Sequence, residues 1–230
     1  PKPIHRDVVI LSIDSESISR IGQWPWPRDI YAQALKNLNT KPPKAVGIDI
    51  VFAESSRLGK QDDQKLAQAI ASLQYPLVLA MEANSLLVSR DTIEEVRSLL
   101  KPLKQFHDGL SHVILAHVNL ILDQDSVVRR FPIFLTNPDS QSGETKLKSF
   151  SYTLAELHSK ELAILRAGPD VSSIVYASEP GGIKHIPFWR LIEEPEMIVD
   201  QLQDKVILIG VTSPDLHDEQ LTPFSRGIPM

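Results

Sequence analysis

Two aspartates and one arginine are the residues of this sequence best suited to binding or catalysis. Asp14 ends a short apolar run, and Asp49 lies toward the end of a second apolar run over 44–52. Arg28 directly follows Pro27. Open α/β sheets bind ligands at the carboxyl ends of their parallel strands. At such an edge, the two carboxylates and the arginine can hold a small polar ligand or a cation.

The same residues also have structural interpretations. An acid pair with an arginine can form an internal ion-pair cluster that fixes the strand ends, and such clusters also perturb titration. Asp14 can in addition cap a short helix from Ser15 through the N–H of Ser17. The residue types alone leave ligand binding and architecture both open.

A stiff aromatic segment precedes Arg28. Trp24 and Trp26 alternate with prolines. If exposed, the segment can cover a pocket or pack against a partner, because aromatic residues dominate such contacts. If buried, it forms a corner of the core, and burial is favoured because large aromatic side chains are usually mostly inside.

A polar cluster near the middle of the chain presents alternating oxygen atoms. Asp123, Asp125 and Ser126 resemble the start of a calcium loop, but the sixth position holds a valine and the twelfth a phenylalanine. An EF-hand needs glycine and glutamate there. We therefore predict a turn, closed by an ion pair from Arg129 or Arg130.

Signatures of catalysis are missing from the sequence. It has no Gly-x-Ser-x-Gly elbow, no phosphate loop and no Gly-x-Gly-x-x-Gly after the first strand, and only 10 glycines. The seven histidines are scattered, without the i, i+4 spacing of a helical zinc pair. We predict no catalytic residue, no metal site and no cofactor.

Composition limits the classes of partner. The chain has 230 residues, 42% hydrophobic and 23% charged, with a formal net charge of −5, which is typical of a globular protein. The negative charge argues against nucleic acid as a partner. Zero cysteines exclude disulfides and thiol chemistry. No apolar run reaches the roughly 18 to 20 residues of a membrane span.

The first quarter of the chain has the pattern of a β-α-β unit. The runs 7–14 and 44–52 are nearly continuous and apolar, as in strands buried on both faces. Between them Pro27 suits a first helical position. Four apolar residues then follow at helical spacing, namely Tyr31, Ala34, Leu35 and Leu38. We expect two parallel, neighbouring strands with a right-handed crossover.

Similar patterns continue along the chain. Acidic residues at 62–63, followed by apolar residues at helical spacing up to Leu73, predict a helix. The apolar run over 76–83 predicts a strand. Two overlapping capping boxes then predict a helix over 91–103. The runs 112–122 and 127–135 predict an antiparallel hairpin. The remaining patterns predict a mobile surface loop over 137–148, a helix over 150–166, a short hairpin pairing 173–177 with 184–186, and a buried strand over 205–210.

Together these elements predict an α/β fold. We expect a mixed, mainly parallel sheet flanked by helices, with an inserted antiparallel hairpin section. No break in composition divides the chain, so we expect a single domain over residues 1–230.

Taken in order, these segments resemble the second class of CHASE domain, a sensory module of membrane receptors. The resemblance rests on 13–17, 22–28, 46–52, Asn119 with 123–130, 204–210 and 222–223. Its most specific part is the Trp-Pro-Trp-Pro-Arg run over 24–28. The chain departs from the family in having Ser126 where a glycine is often found, and in ending at Met230 where related sequences continue toward a membrane helix.

The resemblance implies a function that composition does not reveal. It implies a sensor domain of a cell-membrane signal-transduction protein. The domain is expected to be extracytoplasmic, either periplasmic or extracellular, and to have no enzyme activity of its own. Such proteins carry an adenylate or guanylate cyclase, a histidine kinase or a serine/threonine kinase as output. The expected partners are an unknown small molecule or environmental signal, the membrane through flanking helices, and a second copy in a homodimer.

Five residues are our candidates for the functional or architectural centre, namely Asp14, Trp26, Arg28, Asp49 and Arg129. Two other functions stay open. One is a soluble α/β enzyme that uses Asp14 and Asp49 as paired carboxylates with a divalent metal, and the other is a dimerisation module without a ligand.

Overall fold

The computed structural model of the chain describes residues 6–84, 87–89, 92–140, 145–159, 170–176, 182–216 and 220–224. The strands are β1 (Val8–Ile13), β2 (Ala45–Ile48), β3 (Leu77–Asn84), β4 (Leu87–Ser89), β5 (Thr92–Glu95), β6 (Ser98–Leu100), β7 (Val113–His117), β8 (Ile121–Leu122), β9 (Val128–Pro132), β10 (Phe134–Thr136), β11 (Lys146–Lys148), β12 (Val171–Ser173), β13 (Lys184–Pro187) and β14 (Val206–Val211). The helices are α1 (Ser15–Ile21), α2 (Arg28–Leu38), α3 (Lys60–Ala71), α4 (Phe150–His158), α5 (Trp189–Glu193) and α6 (Pro195–Leu202).

A seven-stranded main sheet has the order β13-β1-β14-β2-β3-β6, and β7 also pairs with β3. All of its pairings are parallel except that of β6 with β3. This confirms the mixed, mainly parallel α/β fold. The expectation that β1 and β2 are neighbours is wrong, because β14 lies between them and pairs with both.

The two faces of the main sheet are covered differently. On one, called here the helix-rich face, α2, α3, α5 and α6 pack on alternate residues of the strands. The other, called the α4 face, packs against Phe150 and Leu154 of α4. A Cβ atom on Gly47 of β2 would lie 2.6 Å from the ring of Phe150, so α4 requires a glycine at this point of the sheet.

The predicted helix over 91–103 is wrong. The segment forms β5, which pairs with β4, and β6, which pairs with the end of β3. Leu100 lies opposite Glu82. A short segment with spaced apolar residues fits more than one period, and here the unpaired backbone groups of β3 are satisfied by a strand.

The antiparallel section differs in part from expectation. β8 and β9 form the predicted hairpin, with Ile121 opposite Arg130, but β7 instead joins the main sheet beside β3. The predicted pairing of 173–177 with 184–186 is wrong. β12 pairs with β9, whereas β13 pairs in parallel with β1, where Ile186 is buried in the core.

Other predicted elements are confirmed only where the chain is described. α4 covers the start of the predicted helix over 150–166 but ends at His158, since Ser159 is extended, and residues 160–169 lie outside the described residues. The predicted loop over 137–148 is wrong at its end, because Lys146–Lys148 form β11, which pairs with β10. Its centre, 141–144, also lies outside the described residues. α5 and α6 were not predicted.

Candidate functional site

Asp14 is a helix cap. Its carboxylate accepts a hydrogen bond of 2.7 Å from the N–H of Ser17, at the start of α1. The predicted capping role is therefore confirmed, and this side chain contributes to local structure.

Asp49 follows β2 and lies two strands away from Asp14. Its N–H donates to the carbonyl of Ile209 at 2.8 Å, and a Cβ atom on Gly210 of β14 would lie 3.6 Å from the Cβ of Asp49. Because β14 separates β1 from β2, the two strands that precede these aspartates are about 9 to 10 Å apart. The two residues do not form the paired carboxylates of the enzyme hypothesis.

Arg28 lies at the start of α2 on the helix-rich face, not beside the strand-end aspartates. Its Nε donates to Asp63 at 3.4 Å, and its Nη2 donates to the carbonyl of Glu54 at 2.8 Å. Its guanidinium carbon lies 4.5 Å from the ring centre of Phe52. The structure thus places Arg28 in an ion-pair cluster of the core.

A second aspartate of that cluster caps α2 from a neighbouring helix. Pro27 at the N-cap makes no side-chain hydrogen bond, and Asp62 of α3 accepts instead from the N–H groups of Arg28 and Asp29 at 2.8 and 3.1 Å. Burial favours the protonated form of Asp62, but hydrogen bonds from Ser56 and these two N–H groups outweigh it and lower its pKa. Sequence reasoning recognised the acids at 62–63 only as part of α3.

Trp26 belongs to the core, as the sequence favoured. It is 4% exposed, and its Nε1 donates to the carbonyl of Gly22 at 2.8 Å. Its ring lies 5.3 Å from that of Phe188 and 6.2 Å from that of Tyr31. Trp24 is partly buried, and its ring packs edge-on against the ring of Trp26, with the ring centres 5.3 Å apart. The Trp-Pro-Trp-Pro-Arg run is an architectural corner.

Arg129 closes the turn between β8 and β9. It donates to Asp123 at 3.0 Å and to both oxygens of Asp125 at 2.9 and 2.8 Å. The hydrogen bonds from Arg129 lower the pKa of Asp125 to about 2. Ser126 has a φ of 61°, a left-handed conformation that suits glycine. These ion pairs confirm the predicted turn.

A cavity of about 500 Å³, called here the His117 cavity, lies on the α4 face. It occupies the carboxyl edge of the main sheet, where Asp49 follows β2 and His117 ends β7. The start of α4, from Ser149 to Ser151, closes one side. Its position matches the edge at which open α/β sheets bind ligands.

His117 is the most unusual side chain of this cavity wall. It is fully buried, and neither ring nitrogen pairs with a side chain among the described residues. Burial lowers its pKa to about 4, and a hydrogen bond with the backbone of Ile133 opposes this effect in part. The ring is therefore neutral near pH 7, with one donor and one acceptor nitrogen.

A larger cavity of about 740 Å³, called the β14 cavity, adjoins the same helix. Its walls are mainly aliphatic, with Val8 and Ile10 of β1, Val206 and Leu208 of β14, and Leu154 of α4. Both cavities are also lined by Asp49, Phe150 and Ser151. The start of α4 and the end of β2 therefore border both spaces.

The profile of the CHASE2 domain matches residues 1–230, the whole chain. The chain belongs to the CHASE2 family. This is a family of extracytoplasmic sensory domains. The role of the domain is therefore sensory rather than catalytic. No curated protein and no solved structure matches the chain.

Two further findings concern the described part of this CHASE2 domain. None of its helices there is long and apolar enough to cross a membrane. The same residues contain no group of three or more side chains suited to hold a metal ion.

Sequence reasoning identified one residue of the cavities and missed the others. Asp49 was found because a carboxylate near the end of a buried strand marks a ligand-binding edge. His117 was passed over, since a lone histidine in a β-rich run is usually structural. The signal available was its place at the end of an apolar strand, the same criterion that selected Asp49.

Proposed function

We propose that this CHASE2 domain is the signal-input domain of a membrane-bound signal-transduction protein. Its output domain is an adenylate or guanylate cyclase, a histidine kinase or a serine/threonine kinase. The match of the CHASE2 profile to all of residues 1–230 carries the proposal.

Two cavities on the α4 face support a small molecule as the signal. The His117 cavity and the β14 cavity both border the start of α4, and a bound ligand changes how this helix packs on the sheet. A ligand shifts a two-state receptor only by the difference between its affinities for the two states. We propose that this shift changes the geometry of a homodimer and, through flanking helices, the output domain.

The enzyme hypothesis has less support in the geometry. It requires Asp14 and Asp49 to act together, but β14 separates their strands. The carboxylate of Asp14 caps α1, so it is committed to the helix. No observation favours a second function strongly enough to propose it.

Labelling in intact cells tests the location. The domain has no cysteine, and the side chain of Leu58 is 66% exposed. The substitution Leu58→Cys therefore adds one accessible thiol to the domain within the full-length parent protein. We expect a membrane-impermeant maleimide to label this variant from outside intact cells, with the unsubstituted parent as control. Labelling only after lysis contradicts the proposal.

A further inference from the structure

The two faces of β1 and β14 differ in how completely their apolar side chains are covered. Toward the helix-rich face, Leu11 and Ile207 are fully buried. Toward the α4 face, Val8, Ile10 and Leu208 are only partly buried. Both strands nevertheless have the nearly continuous apolar sequence of parallel strands that are covered on both faces. The described residues therefore cover this half of the α4 face only in part.

Two glycines on neighbouring strands show how far α4 covers this face. On β2, a Cβ atom on Gly47 would lie 2.6 Å from the ring of Phe150, so the helix touches the sheet there. On β14, a Cβ atom on Gly210 would meet only the Cβ of Asp49 among the described residues, at 3.6 Å. Gly210 lies in the wall of the β14 cavity. The space above it is therefore the open part of this face.

The β14 cavity is a recess and not a flat surface. The strands form its floor, and Leu154 and Ala155 of α4 form one side. Every described apolar side chain of its wall is buried or partly buried, so the flat surface of a second copy cannot reach them. The volume of about 740 Å³ is that of a small-molecule site. A small molecule is therefore the occupant that fits.

The length of the cavity indicates the shape of that molecule. Val206, at the start of β14, and Thr212, just after its end, both line the cavity. An extended chain rises about 3.3 Å per residue, so these two positions are about 20 Å apart. Between them the described floor is aliphatic, apart from the glycine of β14. This floor fits an extended aliphatic chain, and covering it removes apolar surface from water.

The charge of the wall limits the head group of the molecule. Asp49 is the one carboxylate among the described wall residues, which include no lysine and no arginine. It lies with Thr212 at the carboxyl edge of the sheet. A carboxylate repels an anionic head group and accepts a hydrogen bond from a hydroxyl group. His158 is the other titratable side chain of the described wall, and an ordinary imidazole is mostly neutral at about pH 8.

We propose that the β14 cavity binds an uncharged amphiphile with an extended aliphatic chain and a hydroxyl head group. The chain packs on Val8, Ile10 and Leu208, and the head group lies at the carboxyl edge beside Asp49 and Thr212. This deepens the proposed function and rests on it only for the claim that the ligand is the signal. Binding is measured on the 230-residue chain alone, so its failure and a failure of the membrane location are distinguishable.

Calorimetry at about pH 8 with 1-hexanol, 1-heptanol and 1-octanol tests the aliphatic part of the ligand. The three alcohols share one head group and differ only in chain length. We expect the affinity to rise about fourfold with each added methylene group, because each is buried against the aliphatic floor. An affinity that does not rise with chain length, or no binding of 1-octanol, overturns the proposal.

Octanoate under the same conditions tests the head group. We expect it to bind about tenfold more weakly than 1-octanol, because its carboxylate meets that of Asp49. Asp49→Asn should reduce this preference several-fold, whereas Asp29→Asn, at an aspartate on the helix-rich face outside the cavity, should leave it unchanged. Octanoate that binds as tightly as 1-octanol, or the same preference in both variants, contradicts the proposal.

Two variants that fill the cavity test its position. Gly210→Leu places a side chain in the open space above β14, and Ala155→Trp fills the cavity from α4, so one remains if the other fails to fold. For each folded variant we expect circular dichroism like that of the wild type and at least about tenfold weaker binding of 1-octanol. Ala71→Trp, at an exposed alanine that ends α3, is the matched control and should bind normally. Unchanged affinity in a folded filling variant places the ligand elsewhere and overturns the proposal.

Discussion

The buried ionisable side chains on the two faces of the main sheet contrast in the partners that they have. On the helix-rich face, Asp62 and Asp63 are buried, yet both accept hydrogen bonds from the start of α2 or from Ser56. On the α4 face, His117 is just as buried, but its ring meets only the backbone of Ile133 among the described residues. Charge alone therefore does not mark the candidate site.

The contrast separates architecture from binding. The Trp-Pro-Trp-Pro-Arg run is the most specific part of the family resemblance, and it lies with its partners in the filled core. The cavities lie on the opposite face, beside α4. A distinctive motif can thus preserve a fold while a candidate ligand site uses less distinctive residues.

The largest expected effect compares two phenylalanines on opposite faces. Phe52 is fully buried, with rings of Tyr31 and Phe106 at 5.2 and 6.0 Å. We expect Phe52→Ala to lower the free energy of unfolding by about 4 kcal/mol, because it leaves a cavity in a filled core. Phe131→Ala, at the wall of an existing cavity, should cost only about 1 kcal/mol. Urea denaturation measures both, and equal losses would remove the contrast.

The next effect is a pH dependence from the α4 face. The pKa of His117 is about 4 in the folded chain against 6.5 for the free group. Between these values the unfolded chain binds a proton that the folded chain does not. Stability is therefore complete above about pH 6.5 and falls by about 3 kcal/mol as the pH drops to about 4. Urea denaturation across this range measures the loss.

His117→Phe is the control for that window. It removes the titrating ring, so the loss between about pH 6.5 and 4 should largely disappear. Asp62, whose pKa is lowered in the folded state, loses its contribution only as the pH falls below the ordinary range of a carboxyl group. Identical pH profiles for the wild type and the variant would show that His117 is not the buried titrating group.

The third prediction concerns the helix-rich face. Asp62→Ala leaves the N–H groups of Arg28 and Asp29 without their acceptor. We expect it to lower the free energy of unfolding by about 2 kcal/mol. Asp29→Ala, which removes an exposed ion pair with Lys65, is the matched control and should have little effect. Similar losses in the two variants would refute the capping role of Asp62.

Much of the main sheet could be predicted because its strands are continuous apolar runs. The runs over 7–14, 44–52, 76–83 and 205–210 became β1, β2, β3 and β14. Their order could not be predicted, since β14 enters between β1 and β2 through pairing with residues far away in sequence. The error over 91–103 has a related cause, because β6 depends on the end of β3.

The candidate site was predictable only in part. Asp49 was selected correctly as a strand-end residue, but its assumed companions, Asp14 and Arg28, satisfy a helix cap and a core cluster. Local sequence shows which residues end strands and does not show which face their side chains occupy. The site needed α4, placed by the contact of Phe150 with Gly47, to bring Ser149 next to His117.

The smallest expected effect concerns Arg129, whose side chain is 43% exposed and makes two ion pairs at the turn between β8 and β9. Exposed pairs contribute little, because water and salt screen them. We expect Arg129→Ala to change Tm by less than about 2 °C, with the difference vanishing in high salt. Arg28→Ala, which leaves the buried Asp63 without its guanidinium partner, should lower Tm more, and high salt should not restore it. Equal, salt-sensitive shifts would mean that burial does not distinguish the two arginines, and that the ion pair of Arg28 behaves like one at the surface.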